Sequence, residues 1–155
     1  MSRHPAVVVK ELQSALAELA AADLDVVGDA TVLGEMLVDL LGCENQLQAV
    51  CAGVAGRVDA SRVWANNGSR SCSAWLAGQT GRDRSEMAGV VGRGRDLRDM
   101  PEVEAEHHAG HLSARHIRLL AQARKTAPEA FATDEAWLVA RARELRFSDF
   151  VKVIR

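Results

Sequence analysis

A long apolar stripe in the second quarter of the chain restricts what this sequence can fold into. Its members follow one another in steps of three, four or seven, and Glu44 interrupts them. This spacing places them on one side of a single helix, because an α-helix turns once every 3.6 residues or so. Such a stripe packs on a partner helix or forms a coiled-coil seam. That partner is either the first helix, in a hairpin, or a second subunit. The members are Leu33, Leu37, Leu40, Leu47, Cys51, Val54 and Val58.

The rest of the chain also has helical spacing. No segment alternates apolar and polar residues as a half-buried strand would, and tyrosine is absent. We therefore predict an all-α fold, an N-terminal helical hairpin with one long helix followed by a helix-turn-helix-containing multi-helix bundle. Residues 1–65 form the hairpin, a candidate dimerisation or docking element. Residues 66–155 form the helix-turn-helix-containing domain, whose last helix is expected to be cut off at Arg155.

Composition excludes several classes of protein. Apolar residues make up 48% of the 155 residues and charged residues 26%, which indicates a globular chain. The sequence has no apolar run long enough for a membrane span, and its N-terminal patch is too short for a signal peptide. We expect a cytoplasmic protein without a membrane partner. Cys43, Cys51 and Cys72 form no CxxC motif and are expected to be small buried apolar residues.

Charge is distributed unevenly although its sum is only −2. Residues 1–56 carry eight acids against Arg3 and Lys10, whereas residues 57–98 carry eight arginines against four acids. A local basic excess is compatible with DNA binding. It is equally compatible with an intramolecular partner, because the acidic first third is available. Charge alone leaves both interpretations open.

A helix-turn-helix accounts for the sequence around Gly81. A short helix precedes this glycine, which supplies the positive φ of the turn, and a second helix begins near Asp83 or Ser85. Leu76 and Ala77 are expected to face inward. Met87 and Val90 are expected to pack back against them from the second helix.

The residues left on the outer side are the DNA-binding candidates. Arginine can bind guanine edges or phosphate, a serine near a helix N-terminus can donate to phosphate, and small residues let a helix lie close in the groove. The alternative is two packed helices with an ordinary charged surface. The candidates, expected on one exposed face, are Arg82, Arg84, Ser85, Ala88, Gly89, Arg93 and Arg95.

Residues 80–120 resemble the DNA-binding core of the ParB and KorB partition proteins. The matching segments are "TGRDRSEMAGVV", "MP" and "AGHLSARHIRLL". The chain has a longer helix before Pro101 than that pattern and lacks the arginine-rich nucleotide-binding motif. The resemblance therefore implies a helical DNA-binding core without a nucleotide switch. The matching positions are Gly81, Arg84, Ser85, Pro101, Gly110, Leu112, Ser113 and His116.

Most of the chain is similar to the thirteen-E-twelve repeat family, a domain found before the nuclease module of HNH endonucleases in high-GC bacteria. The specific blocks are Ala74–Ala77 and Gly110–His116. The resemblance implies a non-catalytic DNA-binding or targeting N-terminal domain of an HNH-endonuclease-type protein. The histidine and metal-ligand cluster of the nuclease is not found in this sequence, so the chain is not expected to be an enzyme. The alternative is a helical dimerisation or regulatory scaffold domain without DNA affinity.

No metal, cofactor or small-molecule site is predicted. His107, His108, His111 and His116 are close in sequence, but no HExxH motif or nearby cysteine accompanies them. The glutamates between residues 102 and 106 form a solvated row, and no serine has an adjacent base. The expected partners are double-stranded DNA, bound by the helix-turn-helix, and a second copy of the chain, bound through the long helix.

Overall fold

The computed structural model describes residues 1–155 and contains eight α-helices and no strand, which confirms the all-α prediction. Two short 3-10 turns, Leu24–Val27 and Val63–Asn67, flank the long second helix. No helix is long and apolar enough to cross a membrane. The helices are α1 Pro5–Ala20, α2 Ala30–Ser61, α3 Cys72–Thr80, α4 Arg84–Leu97, α5 Pro101–His108, α6 Ala114–Thr126, α7 Pro128–Glu144 and α8 Phe147–Ile154.

The chain divides into two units, Met1–Val38 and Asp39–Arg155, and the division falls inside α2. The second half of α2 belongs to the second unit, where its Ala49, Ala52 and Ala55 are buried. Unit 1 contains α1 and the start of α2 and has no buried residue.

Unit 2 contains the hydrophobic core. The helix α6 packs against α4, α5, α7 and α8, and so occupies the centre of the unit. A smaller apolar cluster joins α2, α3 and α4 around Ala55, Cys72 and Val91. The largest fully buried side chains are Phe150, Met100, Leu112, Ile117, Leu120, His107 and Val103.

Helix ends follow local sequence signals. The side chains of Ser71 and Asp83 accept backbone hydrogen bonds at the starts of α3 and α4. Ser113 does so at the start of α6, where the imidazole of His116 accepts from the Ser113 backbone in return and completes a capping box. The buried carboxylate of Glu135 on α7 accepts from the backbone nitrogens of Glu102 and Val103 at 3.0 and 3.2 Å. It therefore caps α5 from a distant part of the chain.

The turn between α5 and α6 is anchored to α2. The Asn45 side-chain amide donates to the Gly110 carbonyl oxygen at 3.0 Å, and Gln48 accepts from the Ala114 backbone nitrogen at 3.3 Å. Gly110 has a φ of 87°. A Cβ at this position would lie 2.8 Å from the Gly42 carbonyl oxygen, so both conformation and space require glycine.

The cysteines and the stripe of α2 differ from expectation. Cys72 is buried, but Cys43 and Cys51 are exposed. Most members of the apolar stripe on α2 are exposed as well, with Leu40 at 40% and Leu47 at 41%. Val58 alone among them is partly buried, against the smaller apolar cluster. The buried face is a different one, made of alanine and glycine, because these residues allow the close helix crossing described next. The prediction of buried cysteines was thus wrong for the two on α2.

The helices α2 and α4 cross in near backbone contact. Gly94 of α4 faces the backbone of α2, where an added Cβ would overlap the Ala52 carbonyl oxygen and lie 3.2 Å from the Gly56 nitrogen. Gly56 is also buried, and a Cβ there would lie 3.7 Å from the Gly94 Cα. Only the absence of side chains at this point lets α4 approach α2 so closely.

We predict opposite effects for two glycine-to-alanine changes in α4. Gly94→Ala should force α2 and α4 apart and lower the free energy of unfolding by about 1–3 kcal/mol or more. Gly92→Ala adds the same methyl group where no atom lies within 4 Å. It should raise stability by up to about 1 kcal/mol because alanine favours the helix. Urea unfolding measures the free energy of unfolding of both variants. Equal changes in this free energy would contradict the close crossing of α2 and α4.

Candidate nucleic-acid interface

The predicted helix-turn-helix is formed by α3 and α4. The turn between them contains only Gly81, Arg82 and Asp83, and Gly81 has the left-handed φ of 71° that the sequence required. Asp83 accepts from the Ser85 backbone nitrogen at 2.7 Å and starts α4. The Asp83 side chain therefore fixes the direction in which α4 leaves the turn, with Met87 buried on its inner side.

The outer face of α4 carries almost no side-chain bulk. Ser85, Ala88 and Gly89 are exposed, and no atom lies within 4 Å of a Cβ built at Gly89 or Gly92. A ligand can therefore approach the helix backbone on this side. A leucine-bearing helix surface would hold it several ångströms further away.

The candidate arginines are not on one face. Arg84 is exposed and makes no ion pair or hydrogen bond, whereas Arg82 pairs with Glu86. Arg95 donates to the Asp59 carboxylate of α2 at 2.9 and 2.7 Å. Because residues two apart in a helix do not face each other, Arg93 points away from Arg95. The expectation of a single arginine face is therefore not met.

Arg93 lines a groove between α4 and α6. The groove has a volume of about 470 Å³. Burial lowers the pKa of the Arg93 guanidinium from its usual value, since the charged form loses solvent here. Gly89 and Gly92 form the bare α4 wall of the groove. The half-buried Arg93 thus lines a groove whose open α4 wall leaves space for an anion.

The opposite wall of the groove is cationic and was missed by the sequence analysis. It contains Arg115, Arg118 and Lys125 of α6. Arg118 has no ion pair, Arg115 lies 4.4 Å from the centre of the Phe147 ring, and Lys125 binds Asp96 at 3.1 Å. Their spacing of three and seven residues on one helix face was the available signal. This signal was overlooked because α6 belongs to residues 99–155, a segment with no net charge.

Ser85 has less donor capacity than expected. Its hydroxyl donates to Asp83 Oδ1 at 2.5 Å and is therefore already used inside the protein. This hydrogen bond and the Ser85 backbone hydrogen bond lower the pKa of the Asp83 carboxyl. The capping carboxylate thus remains ionised, and the serine hydroxyl is not free to donate to a phosphate.

Three of the four clustered histidines, His107, His111 and His116, contact separate partners. His107 is buried and donates from Nδ1 to the Leu112 carbonyl oxygen at 2.7 Å, and His111 Nδ1 lies 2.6 Å from Glu106. His116 caps α6 and has its ring edge against Phe147. No group of three His, Cys, Asp or Glu side chains is arranged to hold a metal ion.

Comparison of the chain with protein-family models, with curated protein sequences and with solved structures found no match. The resemblances described above therefore rest on the quoted residues alone. The geometry shows a helix-turn-helix with a bare outer face beside a cationic groove.

We predict that the fold loses stability as the pH falls below about 6.5. Desolvation lowers the pKa of both His107 and His116 below 6.5, so both are neutral in the folded chain. The unfolded chain binds more protons below that pH, so stability is complete above it and decreases as the pH falls toward the lowered values. Urea unfolding between about pH 7.5 and about pH 5.5 measures the loss.

His116→Gln is the matched variant. Glutamine is a normal capping-box residue at this position and does not titrate. The decrease in stability with falling pH should be smaller in this variant than in the original chain. An unchanged pH dependence would show that His116 is not held neutral by the fold.

Proposed function

We propose that this chain binds double-stranded DNA through the helix-turn-helix, with the outer face of α4 in the major groove. The proposal rests on a bare α4 face that has one unpaired arginine at its N-terminal end and a groove with further unpaired arginines beside it. Arg84 lies at the N-terminal end of this face. The groove between α4 and α6 lies beside it, with Arg93, Arg115 and Arg118.

Shape supports this orientation of α4. The major groove is about 12 Å wide and admits an α-helix, whose total diameter is about 10–12 Å. Because Ala88 and Gly89 have small side chains or none, the diameter of α4 is near the lower limit of that range on the side that would enter the major groove. The N-terminal residues of a recognition helix contact base edges in helix-turn-helix proteins. Arg84, the first residue of α4, occupies that position.

Charge supports a backbone contact beside the helix. The groove cations are arranged along α6 and around Arg93, so they would bind phosphates and not base edges. The acid in this groove, Asp96, is already neutralised by Lys125. Arg95 and Arg82 are bound by Asp59 and Glu86 and contribute less, because DNA would have to displace these carboxylates.

The proposal concerns DNA binding and targeting and includes no catalytic step. The sequence resemblance to partition-protein cores favours the same helix for recognition. The wider similarity to the domain that precedes HNH nuclease modules favours a role in bringing such a module to DNA. Both resemblances support the proposal.

We predict that Arg118→Ala and Arg84→Ala weaken DNA binding in different ways. Fluorescence anisotropy with random and mixed-sequence duplexes at low and moderate salt is the measurement. Arg118→Ala should weaken all duplexes alike and reduce the slope of log K against log salt by about one, as loss of one phosphate contact does. Arg84→Ala should cost about 1–3 kcal/mol on a preferred sequence if it reads a base.

Arg143→Ala is the matched control. Arg143 is an exposed arginine whose partner Glu106 lies outside the groove. It should leave both affinity and salt slope unchanged. No binding of the original chain at low salt would refute the proposed function, and equal losses for Arg143→Ala and Arg118→Ala would refute the assigned surface.

We also predict that Gly89→Leu separates folding from binding. Leucine at this position meets no atom within 4 Å and favours the helix more than glycine, so stability should stay the same or rise. The new side chain would stand between the α4 backbone and the DNA. Duplex affinity should therefore fall at least about tenfold. Unchanged affinity would mean that another surface contacts DNA.

A further inference from the structure

The exposed side of α2 in unit 2 has the spacing of a coiled-coil seam. We define the α2 seam as Leu40, Cys43, Leu47, Val50 and Val54, which follow one another in steps of three and four. These are the a and d positions of successive heptads. All five side chains are exposed, with Leu47 at 41% and Val54 at 54%. The same register continues toward the start of α2 with Leu33 and Met36.

The other side of α2 is already occupied. Ala49, Ala52, Ala55 and Gly56 are buried in unit 2 and occupy b, c and f positions of the same heptads. Asn45, at an f position, binds the Gly110 carbonyl oxygen. The small residues therefore hold α2 against its own domain while the large apolar residues point away from it. No member of the seam belongs to the two buried clusters of unit 2.

The exposed area of the seam is that of an interaction patch. Its leucines and valines, Leu40, Leu47, Val50 and Val54, are 40–54% exposed. At roughly 80 Å² each, they offer on the order of 300 Å² of apolar surface per chain, the size of the largest patch on a typical monomer. A standard interface buries about 800 Å² per partner, and homodimer interfaces are about 65% apolar. The seam thus supplies more than half of the apolar part of one standard interface.

Charges beside the seam select an antiparallel arrangement. In a parallel pair, Asp39 would face Glu44 of the second copy on both sides, and Arg57, at a d position, would face its own copy. In an antiparallel pair centred near residue 45, only the two Glu44 carboxylates face each other. Arg57 then no longer faces Arg57 of the second copy. One like-charge pair replaces three.

We propose that α2 pairs with α2 of a second copy of this chain in an antiparallel coiled coil. Leu40 packs against Val50 of the second copy, and Cys43 packs against Leu47 of the second copy. This homodimer surface is separate from α4 and the groove. The proposal therefore stands or falls independently of DNA binding.

Sedimentation equilibrium of the full chain, from low to high micromolar concentration, tests the dimer. Leu40→Asp and Leu41→Asp are a matched pair, since these neighbouring leucines are 40% and 52% exposed and only Leu40 belongs to the seam. Leu40→Asp should raise the dimer dissociation constant at least about tenfold, because a charge would be buried opposite Val50. Leu41→Asp should leave it unchanged, and circular dichroism should show equal helix content.

If the unmutated chain is monomeric at the highest concentration, the proposal is overturned. The seam would then bind a different protein. Equal dissociation by Leu40→Asp and Leu41→Asp would overturn the proposal too, because the dimer would then not use the seam. Orientation is tested by mild oxidation of a Cys51→Ser, Leu47→Cys chain, followed by peptide mapping. In the covalent dimer isolated without reducing agent, an antiparallel pair gives a bond between the thiol at position 43 of one chain and the thiol at position 47 of the other. A bond between two Cys43 thiols would refute the orientation.

Discussion

The close crossing of α2 and α4 sets the position of the rest of unit 2. Gly94 can lie against the backbone of Ala52 and Gly56 only because neither helix has a side chain at that point. The crossing fixes the direction of α4, and the ion pair between Arg95 and Asp59 lies along the same contact. The bare face of α4 and the groove beside it are therefore on the far side of a helix whose inner side is held by backbone packing.

Local signals were predictable from sequence because they act over a few residues. Ser71, Asp83 and Ser113 cap helices by binding nitrogens two or three residues ahead, and Gly81 supplies a conformation that few other residues adopt. Fold class, helix order and the turn of the helix-turn-helix were accordingly correct. The alanine and glycine face of α2 was not recognised, because small residues contribute little to an apolar pattern although they decide which face is buried.

Long-range partners were the part that sequence could not supply. The stripe on α2 was found, but a stripe does not identify what covers it, and its member Cys51 was expected to be buried although it is exposed. The pairing of Arg95 with Asp59 joins residues far apart in the chain. The cations of α6 become relevant only because the fold sets them opposite Arg93. In the sequence, the acids of residues 99–155 cancel the charge of these cations, so the net charge of the segment gave no signal.

The bare face of α4 has a consequence for how firmly this helix is held. Gly89, Gly92 and Gly94 each cost about 1 kcal/mol of helix propensity relative to alanine, so α4 has little intrinsic helicity. Its order comes from Met87, Val91 and Leu97 packed on the domain. In native-state hydrogen exchange, α4 is then a segment that opens at lower free energy than the core helix α6. A ligand that binds only the closed helix would slow that exchange in proportion to its affinity.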